Sequence, residues 1–294
     1  MIISITHEHD LDGIGSQAIL YRFLTRNKDH GDEDVQLHYA HYSNFPKSIK
    51  QFLSDSALPD QLIITDIGFN DEFEELLPYF KKAKQKGCEI SWFDHHLVDD
   101  SVKEKIKLVV NTYINDPSRC AAEIVKDYFL PDDSIAIEIA QYARDRDFGK
   151  YNFQISTDLQ SIIEFNRGRD RDKSKRKITK LLASGIFKND WLDEQLKELA
   201  DWRNKQEANA INNVKLIKIK DFGEIAISLA EMSGGRIIHV LEENFKNAKG
   251  YVGIDSRFNE INLYSDYFNC RQVARHFRGG GHINRSGLRF SGIL

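Results

Sequence analysis

Cysteine is scarce in this chain: three in 294 residues, at positions 88, 120 and 270. Three scattered thiols build neither a disulfide framework nor a zinc cluster, and a reducing cytoplasm is the expected setting. Long apolar runs are missing too. No stretch of eighteen apolar residues occurs, so no membrane-spanning helix is expected. The opening Met1-Ile2-Ile3-Ser4 has no basic region and leads straight into a polar motif, so no cleaved signal is expected. Internal repeats and low-complexity tracts are also absent. Apolar residues make up 41% of the chain, enough to fill real cores, and its length suits two domains.

Carboxylates and imidazoles gather at the ends of apolar runs. Ile2 to Ile5 is followed by His7-Glu8-His9-Asp10-Leu11-Asp12-Gly13-Ile14-Gly15, with the glycines as turn punctuation and a helix from Ser16 to Leu24. Leu62-Ile63-Ile64-Thr65 ends in Asp66, before a helix from about Asp71 to Lys86. Cys88 to Phe93 ends in Asp94-His95-His96. A helix around 135–143 runs into Arg144-Asp145-Arg146-Asp147. The alternation of strand, acid and helix predicts an α/β fold with a doubly wound parallel sheet. In such sheets ligands bind at the carboxyl ends of the strands, so all four acid sites should share one edge. Aspartates that crowded need cations, and aspartate with histidine suits divalent metals. A pair of such ions activates water and clamps an in-line displacement at phosphorus. A salt-bridged helix end is the other reading of Asp145 and Asp147, which alternate with arginines.

These residues resemble the DHH phosphoesterase family at four ordered motifs: His7 to Gly13, Asp66, Asp94 to His96, and Asp145 to Asp147. Phe277-Arg278-Gly279-Gly280-Gly281-His282 is similar to the glycine-rich motif of the accessory domain called DHHA1, although Ile283-Asn284-Arg285-Ser286 replaces the usual small residues after it. Spacing and length look most like the short-RNA oligoribonuclease branch, nano-RNase B. The resemblance implies two manganese ions, with magnesium or cobalt as substitutes. It implies His7, Asp10, Asp12, Asp66, His95 and Asp145 as metal ligands, Asp66 bridging. His7 is favoured over His9 because it sits at the strand end. Asp145 is favoured over Asp147 because it comes first after the helix. Asp94 would support the site and His96 would face the substrate phosphate. Arg257, Gly279, Gly280, Gly281 and His282 would hold the rest of the substrate. The implied activity is removal of mononucleotides from short single-stranded RNA. The alternatives are hydrolysis of linear or cyclic dinucleotides or 3'-phosphoadenosine 5'-phosphate, a RecJ-like exonuclease on single-stranded DNA, and a decayed binding protein. A homodimer is compatible with all of them.

The predicted organisation is a DHH catalytic domain over 1–185, a connecting helix over 186–212, and a smaller α/β domain over 213–294, with substrate in the cleft between domains. Strands are expected at 2–6, 35–42, 62–66, 89–93 and 107–111, then at 214–218, 223–229, 250–255 and 260–264. Cys120-Ala121-Ala122 is expected to cap and pack a helix, which the family resemblance implies lies close to the site. The net charge of −4 does not mark a general nucleic-acid binder, but its distribution is uneven. Residues 267–294 carry five arginines and no acid; residues 167–180 carry eight Lys or Arg against Asp170 and Asp172. Small basic patches on an acidic body suit a short polyanion. A solvated helix face is the other reading of the second patch.

Overall fold

A computed structural model describes residues 1–26, 33–42, 44–54, 58–69, 73–167, 171–220, 222–277 and 279–290. Two compact units divide the chain, Met1–Leu196 and Lys197–Leu294. The division falls inside a long helix.

The first unit alternates strands and helices: β1 Ile2–His7, α1 Leu11–Arg26, β2 Val35–Ala40, α2 Phe45–Phe52, β3 Gln61–Thr65, α3 Phe73–Gln85, β4 Glu89–Asp94, α4 Asp100–Val109 and β5 Thr112–Asn115. Helices α5 Ala121–Phe129, α6 Ser134–Asp147, α7 Gln154–Phe165 and α8 Arg171–Ala183 follow, then α9 Asp190–Asn212, which crosses the division. The five strands are all parallel, in the order β2-β1-β3-β4-β5. The doubly wound sheet expected from the sequence is therefore present. The chain leaves β1 toward β2 and returns across it to β3, so the switch point lies between β1 and β3. His7 and Asp66 stand at those two strand ends. The sheet is covered on both faces. Ile14, Ile19, Ile124, Ile139 and Ile163 belong to one core, and Phe45, Phe73, Phe80 and Trp92 to the other. Each fully buried side chain of this size contributes about 1.5–3 kcal/mol.

Two expectations are corrected. The strand placed at 107–111 is the end of α4, because Val102, Ile106 and Val109 recur at helical spacing and are buried; β5 begins only at Thr112. The helix after β1 starts at Leu11, not Ser16, so Asp12 lies in its first turn and Gly13 and Gly15 lie inside it. Asp10 starts that helix: its Oδ1 accepts from the Gly13 N–H at 2.9 Å, as an N-cap carboxylate does.

The second unit contains the end of α9, β6 Lys215–Ile219, β7 Gly223–Ala230, α10 Gly234–Asn244, β8 Gly250–Asp255, β9 Glu260–Tyr264, α11 Cys270–His276, β10 Gly280–Gly281 and β11 Arg285–Arg289. Its sheet runs β10-β11-β9-β8-β7-β6, with only β7 and β8 parallel. It is the smaller α/β unit that was expected. Ile237, Ile238 and Leu241 of α10 sit in its main core, and Cys270 and Ala274 of α11 in a lesser one. Among the described residues no helix is long and apolar enough to cross a membrane.

Candidate metal centre

The strand ends of the first unit bring eight predicted residues together. His7 Nδ1 is 2.8 Å from Asp10 Oδ2 and 3.7 Å from Asp66 Oδ2. His95 Nε2 is 3.3 Å from Asp66 Oδ1 and 3.5 Å from Asp12 Oδ2, while its Nδ1 is 3.6 Å from Asp147 Oδ2. His96 Nδ1 is 2.8 Å from Asp94 Oδ1. Among the described residues, three groups could each hold an ion: His7, Asp10 and Asp66; Asp66, His95 and His96; and Asp12, His95 and Asp147.

Asp66 joins two of these groups. It is 1% exposed, and neither carboxylate oxygen has a hydrogen-bond partner among the described residues. His7 Nε2 is orphaned in the same way. Buried polar atoms are normally paired, so an unpaired buried carboxylate beside an unpaired imidazole nitrogen fits a cation. The donor set, aspartate with histidine, suits a divalent metal. Asp66 also holds φ at 56°, a left-handed conformation that aspartate and asparagine tolerate better than most residues.

The surroundings hold this set in place. The N–H groups of Ala121 and Ala122, at the start of α5, donate to the two oxygens of Asp12 at 2.8 Å each. A helix N-terminus thereby steadies a buried anion. This is the part that the Cys120-Ala121-Ala122 segment takes beside the site. Asn115 Nδ2 donates to Asp94 Oδ2 at 3.2 Å and to the His96 carbonyl at 2.9 Å. Burial, and then the charge of Asp147, push the Asp12 carboxyl up to about 7. Burial, followed by Asp10, Asp12 and Asp94, raises that of Asp66.

Two glycines are required by close approach. A Cβ on Gly13 would lie 2.3 Å from the His7 carbonyl oxygen, and one on Gly68 would lie 2.5 Å from the His96 Cβ. Gly13→Ala is therefore expected to cost about 3 kcal/mol of stability and to weaken divalent-metal binding, because the backbone that carries His7 must move. Gly235→Ala in α10, where a Cβ meets nothing within 4 Å, is the control and should stabilise by about 0.5–1 kcal/mol in the same melting experiment.

The structure reverses the preference for Asp145 over Asp147. Asp145 is 3% exposed and turned away from the cluster. Its oxygens accept from the Asn152 N–H at 2.7 Å, the Phe153 N–H at 3.3 Å and the Ser156 hydroxyl. Two residues along the helix is about 200° around it, so only one of the pair can face His95, and that is Asp147. Asp145→Ala should destabilise the fold by about 1–3 kcal/mol and retain metal. Asp147→Ala should lose metal affinity with little change in melting temperature. Paired melting curves and metal titrations distinguish them.

His9 stands beside the cluster rather than in a ligand group: its Nε2 is 3.3 Å from Glu8 Oε1 and its ring is 4.5 Å from that of His41. The sequence reading missed Tyr42, whose hydroxyl is 2.8 Å from His96 Nε2, and Asn115. Neither belongs to an acid motif, and only the sheet order reveals them. Part of the basic run at 167–180 turns inward. Lys175 is 1% exposed and ion-paired with Glu8, and Lys177 lies over the Trp191 ring at 4.2 Å. Arg169 and Asp170 lie outside the described residues.

The remaining predicted residues belong to the second unit. Arg257 Nε and Nη2 donate to Asp255 at 2.9 and 2.8 Å, and its guanidinium lies over Trp202 and Phe258. Gly280 and Gly281 form β10, paired with β11. A Cβ on Gly279 would lie 2.3 Å from the Gly287 carbonyl oxygen, and Gly281 has φ 133°. The tight hairpin thus requires those two glycines, whereas a Cβ on Gly280 meets nothing within 4 Å. His282 is exposed, and Arg278 lies outside the described residues.

A parallel sheet with aspartates and histidines gathered at its carboxyl edge is the setting for a divalent-metal centre, and with the family match to residues 1–147 it makes the chain a metal-dependent phosphoesterase. The chain belongs to the DHH family, whose N-terminal domain matches residues 1–147. Among solved structures, the fold is similar to the DHH domain of a member of the s1p family of ribosomal proteins, with TM-score 0.53 and 16% identity over 98% of this chain and 82% of the other. It is also similar to the pGpG-specific phosphodiesterase PggH of Vibrio cholerae, with TM-score 0.51 and 11% identity over 99% and 93% of the two chains. A third is CDC45 of Entamoeba histolytica, with TM-score 0.52 and 9% identity over 98% and 92%. At these identities the likeness concerns the fold. No curated protein matches the sequence.

Proposed function

We propose that this chain is a two-metal, manganese-dependent phosphodiesterase that degrades short oligoribonucleotides to mononucleotides. One observation carries the two-metal reading. Asp66 Oδ2 faces His7, and Asp66 Oδ1 faces His95, so a single buried carboxylate serves two ligand groups. His7 and Asp10 would hold one ion, Asp12, His95 and Asp147 the other, with Asp66 shared. Ions held there supply Lewis acidity, which lowers the pKa of water and offsets charge on a phosphate.

The chain's own groups do the rest. Asp94 fixes His96 through Nδ1 and leaves Nε2 with the Tyr42 hydroxyl. Burial works against charge on His96, but the hydrogen bond and charge of Asp94 outweigh it and raise its pKa. An imidazole held through Nδ1 in this way can present Nε2 to a phosphate oxygen. The short-substrate reading is supported by the basic residues. Lys175 and Lys177 are engaged within the fold, so they do not extend a track for a long nucleic acid. Within the second unit, the exposed Arg275, His282, Arg285 and Arg289 also suit a short polyanion.

The experiment is turnover with manganese on RNA of two to five nucleotides. Cyclic dinucleotides, 3'-phosphoadenosine 5'-phosphate and long single-stranded DNA serve as competitors. Mononucleotide release that is fastest on the short RNAs is expected. Preference for a cyclic dinucleotide, the bisphosphate or long DNA would replace this substrate assignment, and no hydrolysis of any phosphodiester would refute it.

A further inference from the structure

The turn that joins α6 to α7 begins at Asp147 of the metal centre and holds a strained, exposed aromatic side chain. Gly149 takes φ 62° as the helix ends, with its N–H donating to the Arg146 carbonyl at 3.1 Å. Tyr151, two residues on, also has a left-handed backbone, φ 55°. That conformation suits glycine or asparagine and is costly for a tyrosine. Burial does not offset the strain, because the Tyr151 side chain is 62% exposed.

The turn is nevertheless firmly built. The Lys150 N–H donates to the Asp145 carbonyl at 2.9 Å, and the buried Asp145 carboxylate accepts from the N–H groups of Asn152 and Phe153 on the far side of Tyr151. The ring lies back over the turn. Its Cε2 is 3.6 Å from where a Cβ on Gly149 would stand, and the Arg146 guanidinium lies 4.5 Å from its centroid. A connection between two helices needs none of this, since glycine at 151 would make the same turn without strain. Strained residues kept by their surroundings concentrate at functional sites.

We propose that Tyr151 is a stacking platform for a nucleobase of the substrate, on the nucleotide that adjoins the scissile phosphate. The inference rests on the phosphodiesterase reading above. A phenol ring backed by a guanidinium presents a polarised, preoriented surface, and every nucleobase offers a π-face to it. Such stacking tolerates any base, so Tyr151 would favour nucleotides over other phosphodiesters without reading sequence.

The test compares wild type, Tyr151→Gly and Tyr151→Phe with manganese, on a ribodinucleotide and on its two singly abasic analogues. Tyr151→Gly is expected to raise KM for the intact dinucleotide about tenfold, with kcat unchanged. KM for one abasic analogue should not change, and Tyr151→Phe should behave as wild type. The glycine variant should melt no lower than wild type, because it relieves the strain. An unchanged KM in Tyr151→Gly would overturn the proposal. So would an equal rise on the intact and both abasic substrates, or a lowered melting temperature with a fall in kcat, each of which marks a structural role. Wild-type protein that turns over no nucleotide would instead refute the phosphodiesterase reading, and this proposal with it.

Discussion

Asp66→Asn is expected to lower manganese-dependent hydrolysis by at least about 1,000-fold, while the metal-free protein melts at or above the wild-type temperature. The two halves of this result have one cause. In the metal-free protein the Asp66 carboxylate is buried among Asp10, Asp12 and Asp94, with no hydrogen-bond partner among the described residues. Its charge is a cost to the fold that a proton or a cation offsets. Asparagine keeps the shape, removes the charge, and tolerates the left-handed φ of 56°. Alanine would confuse the outcome, because it adds backbone strain and a cavity. Steady-state turnover and thermal melting on the same preparation check both halves. A variant that loses activity and also stability would point to a structural carboxylate.

The metal-free protein is expected to lose stability as pH rises, and manganese to reverse the loss. The Asp12 carboxyl moves from an ordinary value of 3.8 up to about 7, first through burial and then through Asp147, and Asp66 moves the same way. A carboxylate raised in the folded state binds more protons there than in the unfolded chain. Its contribution is therefore complete below the unfolded value and is lost as pH climbs through the folded one. The loss falls between about pH 4 and pH 7 for Asp12. Glu8 has the opposite sign. Burial raises its value, but hydrogen bonds from His9 and Lys175 outweigh that and bring it down to about 2. Its stabilisation is complete above its ordinary 4.5 and is lost as pH falls toward about 2, below the window that matters here. Cations replace protons at Asp12 and Asp66, so stabilisation by manganese should grow across that same window. At 100 times Kd it amounts to about 2.7 kcal/mol, or about 5–10 °C for a unit of this size. Melting curves with chelator and with manganese, from about pH 5 to about pH 8, measure the gap. A gap that shrinks as pH rises would contradict the assignment of these acids.

The elements that carry most of the site were legible because their signals are local. Leu62-Ile63-Ile64 is a continuous apolar run, as a strand buried on both faces must be, and Asp66 follows after Thr65. The same holds for Cys88 to Phe93 before Asp94. What failed depended on partners distant in sequence. Gly13 and Gly15 look like turn residues but are helical, and they are glycine because α1 passes close to His7 and to Ile139. Asp145 and Asp147 are equivalent in sequence, and the choice between them is made by the N–H groups of Asn152 and Phe153, which need a carboxylate. Tyr42 follows an edge strand with no acid motif, and only the parallel order β2-β1-β3-β4 brings it to His96.

The central claim is a binuclear centre that shares Asp66. Manganese bound per chain, measured after dialysis for wild type and Asp66→Asn, tests it most directly. Two equivalents in the wild type, falling to one or none in the variant, are expected. A wild type that retains no manganese, or a variant that binds two as tightly, would contradict it.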